Sequence, residues 1–177
     1  LINNFLLGYF LILIGVFSLL EFFNITKIIF KKNYIKKIIY NLLFIIYIFS
    51  FCSLFLHLAS FTILKILIFL LVITCVLSDV GGFIFGKIIK GPKLIKISPN
   101  KTISGAIGSL IFSSIFLSTT LTYLTKQFDF KIIFIGLLIS VASQLGDLFF
   151  SFLKRKALLK DTGNLLPGHG GILDRID

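Results

Sequence analysis

The sequence predicts an all-α polytopic integral membrane protein, a bundle of about five transmembrane helices with its cation-rich loops on the cytoplasmic side. Three observations predict it. Of 177 residues, 57% are hydrophobic and the mean hydropathy is +1.06, more apolar than one soluble core requires. The apolar residues fall in runs close to the roughly 20 residues that cross hydrocarbon as a helix. The cations crowd into alternate connections between those runs.

The runs are Phe5 to Phe23, Ile38 to Leu58, Ile63 to Ser78, Ile103 to Tyr123 and Ile132 to Phe150. Helix is preferred to strand despite many Ile and Phe, because lipid requires each backbone group to be satisfied within its own segment. The third run is short and carries Lys65 near one end, which reads as a snorkelling cation or as the mark of a tilted or partly re-entrant segment. The first run lacks a basic leader and a small-residue cleavage site, so it reads as a span rather than a signal peptide. With no methionine in the chain, the natural start is expected to be either missing or read from another codon.

Lys27, Lys31, Lys32, Lys36 and Lys37 follow the first run, and Lys87, Lys90, Lys93, Lys96 and Lys101 follow the third. Lys154, Arg155, Lys156, Lys160 and Arg175 occupy the tail, leaving Lys65, Lys126 and Lys131 on the other side. The tail is therefore expected in the cytoplasm and the N-terminus outside. A net charge of +11 placed beside apolar spans points to anionic headgroups of the lipid bilayer and phosphorylated substrates, and away from nucleic acid. Cys52 and Cys75 sit at different depths in separate spans and are expected unpaired. His57 reads as an interfacial or packing residue.

Carboxylates are few, so their positions are informative. Glu21, at the end of the first span, and Asp129 read as solvated surface charges. Asp79, Asp147, Asp161, Asp174 and Asp177 gather on the cytoplasmic side, together with both arginines, Arg155 and Arg175. Arginine presents a planar fork suited to phosphate. If the fifth helix continues through Arg155, then Gln144, Asp147, Ser151 and Lys154 share one face. Beyond Lys160 the segment breaks, and Pro167-Gly168-His169-Gly170-Gly171 allows backbone amides to cradle phosphate oxygens. Asp147 and Asp174, from separate segments, could coordinate Mg²⁺, which takes few protein oxygens plus water and substrate phosphates. Gly105, Ser109 and Ser113 in the fourth run, and Gly136 and Ser140 in the fifth, predict close helix contacts within the bundle, with a homodimer face as the alternative.

Ser151, Lys154-Arg155, Lys160-Asp161, Gly163, Leu166-Pro167, His169-Gly170-Gly171, Asp174-Arg175 and Asp177 together resemble the signature of the phosphatidate cytidylyltransferase (CDP-diacylglycerol synthase) family. Ser78-Asp79-Val80-Gly81-Gly82-Phe83, Ile97-Ser98-Pro99-Asn100-Lys101-Thr102 and Gln144-Leu145-Gly146-Asp147 resemble its other cytoplasmic segments. The resemblance covers about residues 78 to 177 of a single membrane domain. The family commonly has Lys where Asn100 stands and an acidic residue where Ser104 stands, so neither position is assigned chemistry. Members often carry further N-terminal spans, so the chain is expected to be N-terminally incomplete.

The resemblance implies transfer of CMP from CTP to phosphatidate, with release of pyrophosphate, in phospholipid biosynthesis. It implies Asp147 and Asp174 as Mg²⁺ ligands, with a second cation as an option. Lys154, Arg155, Lys160 and Arg175 would bind phosphates, and His169, Gly170 and Gly171 would cradle the triphosphate. Asp79, Ser98, Lys101, Thr102, Ser151, Asp161 and Asp177 would complete the substrate site. A CTP-dependent lipid or polyprenol kinase is the alternative enzyme, disfavoured by the full tail signature. A transporter would need its polar groups near the bilayer midplane, whereas this chain puts its carboxylates at one surface. Few alanines with abundant Ile, Lys, Phe and Asn point to an AT-rich bacterial genome and hence an inner-membrane location.

Overall fold

The computed structural model describes residues 4–95, 98–163 and 170–176. Among the described residues five helices are long and apolar enough to cross a membrane: α1 (Asn4–Ile29), α2 (Tyr34–Ala59), α3 (Thr62–Ile88), α4 (Ile103–Thr125) and α5 (Phe130–Lys156). A short antiparallel pair, β1 (Lys93–Ile95) and β2 (Ser98–Thr102), stands between α3 and α4, and a single turn, α6 (Leu173–Ile176), lies near the end of the sequence. The all-α expectation therefore holds apart from this hairpin.

Most helices overrun the apolar runs. The third is 27 residues long, so Lys65 begins a full span rather than a re-entrant segment, and its Nζ donates to Asn4 Oδ1 at 3.0 Å. At its other end α3 continues nine residues past Asp79, through Gly81, Gly82 and Gly86. The segment resembling a cytoplasmic loop is thus helical. Its glycines serve helix contact, which sequence periodicity alone does not distinguish from loop chemistry.

The chain forms two compact units, one of residues 1–65 and 152–177 and one of residues 66–151. In the first, α1 buries Leu11, Gly15, Ser18, Phe22 and Ile25, a stripe at three- and four-residue spacing. Against it α2 sets Asn41, Phe44, Ile48 and Cys52. Phe22 stacks on Phe44 with ring centroids 3.8 Å apart, and Thr26 Oγ1 donates to Asn41 Oδ1 at 2.7 Å. The outer face of α2 is apolar, with Phe49 75% exposed, as a lipid-facing helix requires. Asn33 caps α2 by accepting from Lys36 N. Both cysteines are free.

In the second unit the small residues meet as expected. A side chain built on Gly108 would lie 2.8 Å from Gly81 O, and one on Gly105 would lie 2.7 Å from Gly82 O, so α3 and α4 cross with backbones nearly touching. Gly136 of α5 lies equally tight against Ser114 of α4. Ser78 and Ser140 share a buried hydroxyl bond of 2.7 Å between α3 and α5. These contacts use glycine and serine where apolar side chains would force the helices apart.

Candidate active site

The helix crossing in residues 66–151 leaves a cavity of about 240 Å³ above it. Asp79, Gly82 and Phe83 of α3, Leu94 of β1, Lys101 and Thr102 of β2, Gly105, Ala106 and Ser109 of α4, and Gln144 and Asp147 of α5 line it. Local structure places each of these. Lys90 and Gly91 adopt positive φ (56° and 115°) and turn the chain out of α3. Ile103 N then donates to Pro92 O at 3.1 Å, and Ser104 Oγ donates to Lys90 O, closing the hairpin's base. Thr102 caps α4, its hydroxyl accepting from Gly105 N at 3.1 Å. The residue before the cap, Lys101, is thereby fixed and forms an ion pair with Asp147. Gln144 is held by donating to Ala106 O and Ser140 Oγ at 3.3 and 3.2 Å.

The tail forms a second polar cluster within the unit of residues 1–65 and 152–177. α5 ends at Lys156 and the chain reverses at Leu158 (φ 58°), earlier than the break expected beyond Lys160. Asp174 is the hub. Its Oδ1 accepts from Lys154 Nζ at 2.7 Å, and its Oδ2 accepts from Thr162 N and Gly171 N at 2.7 and 3.0 Å, with Thr162 Oγ1 3.0 Å away. Burial alone raises the Asp174 pKa. The Lys154 hydrogen bond, the Gly171 and Thr162 amides and the Lys154 charge outweigh burial and hold the carboxyl below the ordinary aspartate range. Gly170 takes φ 84°, in the region that favours glycine.

Glu21 corrects the sequence reading. It is not a solvated surface charge but is 2% exposed, accepting from Thr162 Oγ1 at 2.7 Å, Ile172 N at 2.8 Å and Leu173 N at 2.9 Å. The signal was present: a carboxylate inside an apolar span is costly unless donors meet it. Thr162 was missed too, because a threonine between Asp161 and Gly163 carries no charge to draw notice.

Among the other predicted residues, Arg155, Lys160, Asp161 and Arg175 are exposed, and Ser98 and Ser151 are half-buried. Ser98 pairs with Ile95 in the hairpin and is not among the described residues lining the cavity. His169 and Asp177 lie outside the described residues. Asp147 belongs to one unit and Asp174 to the other, each described among its own neighbours. The cavity's donor chemistry suits Mg²⁺: the carboxylates of Asp79 and Asp147 and the hydroxyls of Thr102 and Ser109 are hard oxygens. Among the described residues no three His, Cys, Asp or Glu side chains gather as a metal cluster. Mg²⁺ commonly needs only one or two carboxylates beside substrate phosphates.

Five apolar spans, with a carboxylate-lined cavity beside them, define a polytopic membrane protein with polar chemistry at its helix ends. Residues 2–177 match the cytidylyltransferase family, and the chain belongs to that family. It is 40% identical over 107 residues to a phosphatidate cytidylyltransferase of Helicobacter pylori, a stretch covering 60% of this chain and 40% of the relative. Phosphatidate cytidylyltransferases of Staphylococcus haemolyticus and Staphylococcus aureus are 45% and 46% identical over 103 residues, 57% of this chain and 40% of each relative. The matched stretch thus spans about 40% of the length of these curated relatives.

Proposed function

We propose that the chain carries out phosphatidate cytidylyl transfer at the cytoplasmic face of a bacterial inner membrane. A phosphate oxygen of phosphatidate attacks the α-phosphorus of CTP, the bond from that phosphorus to the αβ-bridging oxygen breaks, and pyrophosphate leaves with the electron pair. CDP-diacylglycerol is the product. A phosphate monoester is already largely ionised near neutral pH, so no strong base is required. The protein's task is to orient two polyanions and offset their charge.

The observation that carries this reading is the Lys101–Asp147 pair in a cavity also lined by Asp79, in a chain of the cytidylyltransferase family. Lys101 offers a fixed cation for phosphate oxygens. In the tail, Lys154, Arg155, Lys160 and Arg175 are the proposed phosphate cations, with His169, Gly170 and Gly171 against the triphosphate. Ser98, Thr102, Ser151, Asp161 and Asp177 complete the proposed substrate contacts on the family resemblance. The same resemblance proposes Asp147 and Asp174 as Mg²⁺ ligands. Bound there, the ion would neutralise triphosphate oxygens and the departing pyrophosphate. A homodimer is tested by the mass of the solubilised protein.

The deciding experiment supplies radiolabelled CTP and phosphatidate with and without Mg²⁺ and identifies the products. CDP-diacylglycerol with pyrophosphate supports the reading. Phosphorylated lipid with CDP would replace it by a lipid kinase.

A further inference from the structure

Glu21 has no part in the chemistry proposed above, yet it is the one carboxylate-bearing residue in the buried class among those described. No lysine or arginine pairs with it among the described residues. Its charge is met by three dipoles: the Thr162 hydroxyl and the N–H groups of Ile172 and Leu173. The neighbouring amide, Gly171 N, turns instead to Asp174. Three consecutive amides thus point at two carboxylates, one on α1 and one in the tail itself. Thr162 lies between these, its hydroxyl within reach of Glu21 at 2.7 Å and of Asp174 at 3.0 Å.

This arrangement has a direction. Glu21 sits in a regular 26-residue helix, whereas residues 157–172 contain no helix or extended strand among those described. The rigid partner sets the position of the irregular one. Glycine at 171 is required by the same contact, since a side chain there would come within 2.7 Å of Glu21 Cδ. Leu173, 2% exposed, lies in the α6 turn that packs on α1.

We propose that Glu21 is a positioning residue, which fixes the Gly171–Asp174 turn from inside α1 so that Asp174 and Arg175 are held ready for the phosphate chemistry. The proposal rests on the cytidylyltransferase reading for its kinetic readout, and on hydrogen bonding for its structural one.

The test uses the full chain in lipid. Glu21→Gln keeps the volume but presents an amide group where donors already point. Exchange of the Ile172 and Leu173 amides should quicken by about tenfold or more. The kcat for CDP-diacylglycerol should fall by about tenfold to a hundredfold, while KM for CTP stays within about twofold. Thr162→Val should share the loss in kcat and Thr162→Ser should restore it. Wild-type exchange and wild-type kcat in Glu21→Gln would overturn the proposal, as would Thr162→Ser no better than Thr162→Val. If Glu21→Gln fails to reach the membrane, the Thr162 pair decides alone. If the wild-type chain makes no CDP-diacylglycerol, the functional reading fails, and the exchange rates still decide whether Glu21 holds the turn.

Discussion

Lys101, the residue before the α4 cap, pairs with Asp147 of α5 among the residues lining the cavity of residues 66–151. Their side chains are 26% and 35% exposed, so the pair is open to an entering anion. Two substitutions separate the roles. Asp147→Asn removes the charge proposed to hold metal and should lower kcat by at least about a hundredfold, with the protein still found in the membrane fraction. Lys101→Met removes a phosphate cation and should raise KM for CTP by about tenfold. Saturation curves for CTP that match the wild type in Lys101→Met would remove Lys101 from the substrate site.

A divalent ion at Asp147 makes a separate prediction. Chelation should bring label transfer from CTP to background, and added Mg²⁺ should restore it, because the cavity's oxygens suit that ion. In Asp147→Asn the restoring Mg²⁺ concentration should rise by about tenfold to a hundredfold if any activity remains. Full activity in the presence of chelator would exclude a resident metal from the reaction.

Most of the fold was legible because lipid simplifies the rules. Apolar length gave five spans, and the small residues Gly105, Ser109, Ser113, Gly136 and Ser140 marked helix contacts. What stayed hidden depends on partners distant in sequence. Glu21 looked like a boundary charge because its donors lie about 140 to 150 residues later, at Thr162, Ile172 and Leu173. Lys101 was named from family resemblance, but its pairing with Asp147 across 46 positions could not be read from spacing. The glycines after Asp79 read as a loop because glycine permits both a turn and a tight crossing, and only the opposing Gly105 and Gly108 decide between them. Within the candidate site, residue types were therefore readable and their pairings were not.

The α3–α4 crossing predicts a sharp response to a single methyl group. Gly108→Ala would set a Cβ 2.6 Å from Phe85 Cγ and 2.8 Å from Gly81 O, and the backbone oxygen cannot step aside as a flexible side chain would. The cost should be about 1–3 kcal/mol, read as a lowered thermal midpoint in detergent. Activity should fall with it, because the crossing places Asp79 and Thr102 on the cavity wall. Gly8→Ala is the control: its Cβ would lie 3.7 Å from Leu56, an ordinary contact, and its effect should stay within about 0.5 kcal/mol. Equal responses at the two sites would refute close backbone packing at Gly108.

Acid should reveal how Lys154 holds Asp174. A carboxyl whose folded pKa lies below its unfolded one adds stability above the unfolded value, about 3.9 for aspartate, and loses it as pH falls through the folded value. Asp174 is such a group: burial opposes ionisation, and the Lys154 hydrogen bond, the Gly171 and Thr162 amides and the Lys154 charge overcome it. In chelated buffer the tail's amide protection should therefore persist down to about pH 4 and be lost below it. Lys154→Met deletes the hydrogen bond and the charge together, leaving burial opposed by two amides. The folded pKa must rise toward the unfolded one, so the protection above about pH 4 should be weaker than in the wild type and less of it should be lost on acidification. Superimposable pH profiles for the two proteins would show that the amides alone keep Asp174 ionised, and that the 2.7 Å contact with Lys154 contributes nothing to it.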